Sequence, residues 1–154
     1  MDAILKTKLG KFYIQYSEKG LSLLSFNVPS KAESNTVDQK FIKMVTNELN
    51  DYADGKLKKF SIKLDLQGTE FQKSVWRQLQ KIKYGDVKSY GDIAKAIKLE
   101  GGQRAVGGAN NRNKVPIIVP CHRVIKSDGG LGGYAGGLKL KEKLLAIEGV
   151  AIKK

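Results

Sequence analysis

The chain contains one cysteine and one histidine in 154 residues. A single cysteine cannot close an internal disulfide, which excludes an oxidised secreted framework. One cysteine and one histidine also fall short of the ligand set of a tetrahedral structural zinc site. No run approaches the ~20 apolar residues of a membrane span. The start, Met1-Asp2-Ala3-Ile4-Leu5-Lys6, has neither the basic region nor the long apolar core of a signal peptide. The expectation from these absences is a soluble, cytoplasmic protein with no metal and no membrane partner.

What is present is basic. Hydrophobic residues make up 41% of the chain, which is ordinary for a globular protein and too many for a disordered one. The net charge is +13, unevenly placed: residues 1–66 carry 11 Lys and Arg against 8 Asp and Glu, and residues 67–154 carry 17 against 7. A basic surface attracts phosphate backbones through counterion release. Charge alone fits a solubilising or heat-tolerant lysine-rich surface as well.

The length suits one domain or two small ones. The first part reads as β. Segments 4–9, 11–16 and 21–28 are rich in apolar and aromatic residues, with turn signals at Gly10 and Ser17-Glu18-Lys19-Gly20 between them. Phe41, Met44, Val45, Leu49 and Tyr52 predict a helix over 37–52, and the alternation of Phe60 to Leu64 predicts a further strand. A boundary is expected at Gln67-Gly68-Thr69. The second part reads as α. Thr69 is a candidate N-cap for a helix with Phe71, Val75, Trp76 and Leu79 on one face. Ser89 is a second cap, for a short helix over 90–97. A turn at Lys98 to Gly102 leads into another short helix over 103–110. Two short helices joined by a tight turn have the outline of a helix-turn-helix, or of an ordinary helical corner. A glycine-rich loop spans 127–137, and Leu138 to Ile147 closes the chain as a helix.

The lone cysteine and the lone histidine are neighbours in Pro120-Cys121-His122-Arg123-Val124. A thiol reacts as its thiolate and needs a base or a positive field nearby. An inert buried thiol is the plainer alternative, and in an extended segment the two side chains would point apart. Glycine inside a helix costs ~1 kcal/mol against alanine, so Gly107-Gly108 calls for a reason: a close approach to a groove, or tight packing on another helix. Arg104, at the start of that helix, suits a phosphate contact or a surface ion pair. The 127–137 loop has no GxGxxG after a strand, so it does not read as a phosphate cradle; it reads as a pliable wall with Tyr134 as cover, or as a plain loop. Glu148 follows an apolar run. It could hold an imidazole in one tautomer, or be a solvated helix-end residue.

Together these residues resemble the alkylguanine-DNA alkyltransferases, the 6-O-methylguanine-DNA methyltransferase family. The resemblance rests on Tyr90, Arg104-Ala105-Val106-Gly107-Gly108-Ala109, Asn113, Val115-Pro116-Ile117, Pro120-Cys121-His122-Arg123-Val124, Tyr134, Gly136-Gly137-Leu138 and Glu148. It implies an α+β protein. Residues 1–66 would form a domain of a small antiparallel sheet plus a helix. Residues 67–154 would form a mainly helical domain, with a helix-turn-helix, for DNA binding and alkyl transfer. The implied partner is double-stranded DNA bearing alkylated bases, with no cofactor, and the protein is expected as a monomer, with cooperativity along DNA left open.

The resemblance also implies a mechanism. The helix-turn-helix enters the minor groove and a damaged guanine is flipped into a pocket. Cys121 is then the nucleophile, deprotonated by His122 through a water, with Glu148 orienting His122. Asn113 helps to hold the thiolate, and Tyr134 serves the departing purine. Tyr90, Gly91, Arg104, Ala105, Gly108 and Ser127 would contact DNA, with Arg104 filling the vacated space and Tyr90 crowding the 3′ phosphate. Tyr134, Ala135 and Gly136 would line the substrate pocket. The alkyl group stays on sulfur, so each molecule acts once. Two positions depart from the family: Ala135 stands where serine is frequent, and Lys114 where some members have proline. A non-catalytic DNA-binding module and a Cys-His-Glu hydrolase are the competing classes.

Overall fold

A computed structural model of the chain describes residues 1–34 and 37–151, in two units, Met1–Gln67 and Gly68–Lys154. In the first unit, β1 (Asp2–Thr7), β2 (Gly10–Ser17) and β3 (Gly20–Ser25) form an antiparallel meander in that order. The register sets Ala3 opposite Ile14 and Leu5 opposite Phe12. Alternate side chains therefore share one face, and Ala3, Leu5, Phe12, Ile14 and Tyr16 are buried there. The expected strand over 4–9 begins earlier and stops earlier. Lys8 and Leu9 belong to the turn, where the Leu9 amide donates to Thr7 Oγ1 at 3.1 Å.

Helix α1 (Gln39–Ala53) contacts β1 and buries Val45, Leu49 and Tyr52 along one stripe. It starts at Gln39, later than its apolar spacing suggests, because the Asp38 side chain accepts from the Phe41 amide at 3.1 Å and caps the helix. The strand expected over 60–64 is a correction. Only Leu64 bridges the sheet, in parallel to Leu21. The reason is a competing partner: Glu48 of α1 takes both the amide and the hydroxyl of Ser61, which removes that amide from any ladder. Asp2 is buried as well. It accepts from Tyr13 Oη at 2.7 Å and from the Glu33 and Ser34 amides at 2.9 and 2.7 Å. Those bonds, the Glu33 amide first, hold its carboxyl below the usual range.

In the second unit, α2 (Glu70–Gln80) opens with a reciprocal capping box between Thr69 and Gln72. Val75, Trp76 and Leu79 are buried as the spacing predicts. Phe71 is not: it is 37% exposed and lines an open surface groove with Leu99. β4 (Lys88–Ser89) follows, and then α3 (Tyr90–Ala96), capped by Ser89 with Asp92 returning the bond. A turn over 97–102 leads to α4 (Gln103–Asn111). Trp76 Nε1 donates to the Ala109 carbonyl at 2.9 Å and ties α2 to α4. β5 (Val124–Ile125) pairs in parallel with β4, so a two-strand ribbon interrupts a part of the chain expected to be helical. The last helix, α5 (Leu138–Ile147), has the expected bounds. Among the described residues, no helix is long and apolar enough to cross a membrane.

One position in the first unit must be glycine. The segment around Lys63 crosses the start of β3 with the Leu21 amide on the Lys63 carbonyl at 2.9 Å and the Asp65 amide on the Leu21 carbonyl at 2.8 Å. Gly20 has φ +140°, and a Cβ there would lie 2.3 Å from the Lys63 carbonyl oxygen. Gly20→Ala is expected to lower unfolding free energy by about 3 kcal/mol, from strain plus backbone displacement; a urea midpoint equal to wild type would contradict this crossing.

Candidate active site

The approach to Cys121 is a tight turn, not the straight apolar run that the sequence suggests. Asn113 braces it: its Nδ2 donates to the Val119 carbonyl at 2.7 Å, and its Oδ1 accepts from the Val115 amide at 3.0 Å. The Val119 amide closes back on the Val115 carbonyl at 2.9 Å. At the apex Ile117 has φ +74° and is 1% exposed. A β-branched residue in the left-handed region is strained, and persists only where its surroundings force it. The turn delivers Cys121 into a single 3-10 turn, Cys121–Arg123, that is buried throughout.

Burial pushes the Cys121 thiol up to about 11; the Asn113 side chain, the Lys141 charge and the Cys121 and Ile117 backbones pull the other way. The resting sulfur is therefore a thiol, and its proton must be removed locally. From α4, Asn110 Nδ2 donates to the Cys121 carbonyl at 3.3 Å, which fixes the backbone of the turn from its second side.

His122 and Arg123 both reach Glu148, at the end of α5. His122 Nε2 lies 2.6 Å from Glu148 Oε2, with both side chains fully buried. Arg123 Nε donates to Oε1 at 2.8 Å and Nη2 to Oε2 at 3.2 Å, while Nη1 donates to the Ile82 carbonyl at 2.7 Å. The Gly85 amide adds a bond to Oε1 at 3.1 Å. A carboxylate only accepts, so Nε2 carries the proton and Nδ1 is the basic nitrogen. Burial, opposed by Glu148, lowers the His122 pKa and keeps the imidazole neutral.

A cavity of about 400 Å³ is lined by Tyr90, Arg104, Gly107, Ser127, Gly132 and Gly133, among others, and Cys121, His122, Asn113 and Glu148 are not in its lining. Tyr90 joins cavity and cluster. Burial raises its pKa, and Cys121, when ionised, acts in the same direction. A Cβ on Gly132, at φ +72°, would lie 2.6 Å from the Tyr90 hydroxyl, so glycine is required where the loop meets the ring. Gly91 is half-buried beside Gln103 and Ser127. On α4, Arg104 and Ala105 are exposed, and a Cβ on Gly108 would meet nothing within 4 Å. Internal packing therefore does not explain that glycine.

The structure thus brings together Cys121, Asn113, His122 and Glu148 in one cluster, and sets Tyr90, Arg104 and Ser127 around one cavity. The wall supplied by the loop is Gly132 and Gly133. Tyr134 and Gly136 are half-buried and Ala135 exposed further along it. Two residues with larger parts than their sequence suggests are Arg123, whose charge is taken up by Glu148, and the fully buried Lys141. Lys141 had a visible signal: it falls three and four positions before Leu144 and Leu145, on the apolar stripe of α5.

The 6-O-methylguanine DNA methyltransferase family model matches both units, its ribonuclease-like domain over residues 2–66 and its DNA binding domain over residues 70–150. The chain belongs to this family. A relative from Methanosarcina acetivorans, named methylated-DNA--protein-cysteine methyltransferase, is 45% identical over 151 residues, covering 96% of this chain and 97% of its own. Among solved structures, Mycobacterium tuberculosis OGT in complex with DNA superposes with a TM-score of 0.85 at 39% identity, covering 94% of this chain and 90% of the other. An S. pombe protein in complex with damaged DNA containing O6-carboxymethylguanine gives 0.51 at 32% identity over 57% of this chain and 83% of the other. The 6-O-methylguanine DNA methyltransferase fold here has the α+β make-up of those neighbours, with its lone cysteine at the end of the strained turn.

Glu148→Gln removes the counter-charge of a buried guanidinium and unsettles the imidazole. The expected loss is ~3 kcal/mol of stability, read as a lower urea midpoint. A value within ~0.5 kcal/mol of wild type would show that the carboxylate does not support the cluster.

Proposed function

We propose that the protein repairs alkylated DNA by moving the alkyl group of 6-O-alkylguanine in a duplex onto Cys121. The observation that carries this reading is the buried Glu148–His122 contact at 2.6 Å, with His122 next in the chain to the lone buried thiol. DNA as the partner is supported by family membership, by relatives solved on DNA, and by the excess of 17 basic over 7 acidic residues in positions 67–154.

The exposed face of α4 lies against the minor groove, where Ala105 and Gly108 leave room for the sugar-phosphate walls. Arg104 enters the base stack, and Tyr90, Gly91 and Ser127 contact the backbone beside it. The extruded base occupies the cavity that Tyr90, Gly132 and Gly133 line together, with Tyr134, Ala135 and Gly136 closing over it. His122 Nδ1 takes the Cys121 proton through a bridging water, and Glu148 stabilises the imidazolium that forms. Asn113 and the Ile117 amide hold the sulfur anion. Sulfur then attacks the alkyl carbon; the S–C bond forms as the C–O bond to guanine breaks. The departing guanine anion takes a proton at the purine ring, with Tyr134 as donor, and solvent restores the Tyr134 and His122 protonation states. The product is a thioether and guanine. A thioether has no leaving path, so the molecule is used once and no cofactor is required.

Incubation with one equivalent of a duplex carrying 6-O-methylguanine is expected to add the mass of one CH₂ to the peptide containing Cys121, and to add nothing in Cys121→Ala. Unchanged mass with retained DNA binding would assign a recognition module instead, and more than one product per protein would assign a hydrolase.

The base must be neutral for transfer. Burial lowers the His122 pKa below its ordinary 6.5, so the imidazole supports activity above that lowered value and ceases to do so as pH falls through it. The single-turnover rate is expected to hold from pH 7 down to about 6.5 and to drop below that; a midpoint above 6.5 would contradict this role for the imidazole.

A further inference from the structure

The steps above leave one buried charge unused. Lys141, in the first turn of α5, is fully buried. Its Nζ donates to the Val124 carbonyl at 2.7 Å, the Leu131 carbonyl at 2.5 Å and the Gly133 carbonyl at 3.2 Å. Three acceptors match the three donors of an ammonium; a free amine has only two N–H bonds. The geometry therefore selects the charged form. Among the described residues, no carboxylate forms an ion pair with it: Glu148 is engaged by Arg123 and His122. The helix dipole is no help either, because a cation in a first turn faces the positive end.

A buried cation without a counter-ion is costly, so its place needs a reason. With His122 neutral, the buried groups around the site are the Arg123 and Lys141 cations and the Glu148 anion. They leave one positive charge unmatched, and ionised Cys121 would match it. Resting on the transferase reading above, we propose that Lys141 is the counter-charge of the Cys121 thiolate. It is a positioning residue, whose field lowers the cost of ionising sulfur and whose three hydrogen bonds hold the glycine-rich loop beside β5.

The couplings agree with this. Burial lowers the Lys141 pKa to about 8, and the charge of Cys121 acts to raise it; Lys141 in turn acts to lower that of Cys121. The other ionisable groups that face the pair are His122, which feels Lys141, and Tyr90 from α3, which feels Cys121. Arg123 and Glu148 offset each other. The loop bonds add a mechanical link. Val124 is three residues past Cys121, and Gly133 adjoins Gly132, where the loop meets Tyr90.

The test is the pH dependence of single-turnover transfer from a duplex carrying 6-O-methylguanine, at saturating DNA, with DNA affinity measured in parallel. In wild type the rate should fall as pH rises through about 8, where Lys141 loses its proton. Lys141→Met should lower the transfer constant near pH 7 by about tenfold or more, the equivalent of one pKa unit at sulfur, with the loss in transfer and not in DNA affinity, and with the limb near pH 8 gone. Lys141→Arg should recover much of that rate and also lack the limb, because a guanidinium does not titrate there. A folded Lys141→Met protein with the wild-type rate and profile would overturn the proposal. If Lys141→Met does not fold, wild type decides. A lysine Nζ resonance of a neutral amine at pH 7, or a flat rate from pH 7 to 9, overturns it; an ammonium resonance together with the falling limb supports it. Failure of wild type to gain a CH₂ at Cys121 would instead remove the transferase reading itself.

Discussion

The second unit is organised around one carboxylate. Glu148 accepts from Arg123 Nε and Nη2 and the Gly85 amide, and contacts His122 Nε2, so the end of α5, the turn after α2 and the turn bearing Cys121 meet at a single group. A guanidinium buried without this partner would be expensive. The pairing is therefore a condition of the fold as well as of the site. It also settles which imidazole nitrogen is basic, because the carboxylate can only accept.

The sulfur sits where two demands conflict. Burial shields it and raises its pKa to about 11, which keeps a lone thiol quiet in the absence of a base. The surrounding polar groups work against that burial: the Asn113 amide, the Ile117 backbone in its strained turn, and the Lys141 ammonium. In the proposed reaction this balance is useful. Burial keeps the sulfur protonated in the free protein, and its ionisation is tied to a neutral imidazole. The glycines serve the same place in different ways. Gly132 lets the loop meet the Tyr90 ring, whereas the open space over Gly108 leaves a smooth helix face outward.

Much of the local structure was legible. Thr69 and Ser89 carry their own capping partners three residues on, and the apolar spacing of Leu138 to Ile147 bounds α5 correctly. The Cys121-His122 pair and Glu148 were visible as candidates from their chemistry. Other features were not, because their cause lies far along the chain. Phe60 to Leu64 alternates like a strand, yet Glu48 of α1 captures the Ser61 backbone. Val115 to Val119 reads as a plain apolar run, yet Asn113 folds it into a turn with Ile117 at positive φ. Phe71 has helical spacing but remains at an open groove.

By itself the sequence determined the candidate nucleophile, the basic character of the second half and the local helices, since each depends on residue type or on neighbours within a turn or two. The tertiary structure alone decided what each charge faces. Glu148 stands 26 residues from His122. The spacing of Lys141 from Leu144 and Leu145 marks it as inward-facing, but only its three carbonyl partners show what its charge meets. Burial and electrostatic pairing are properties of positions in space, and no short stretch of sequence contains them.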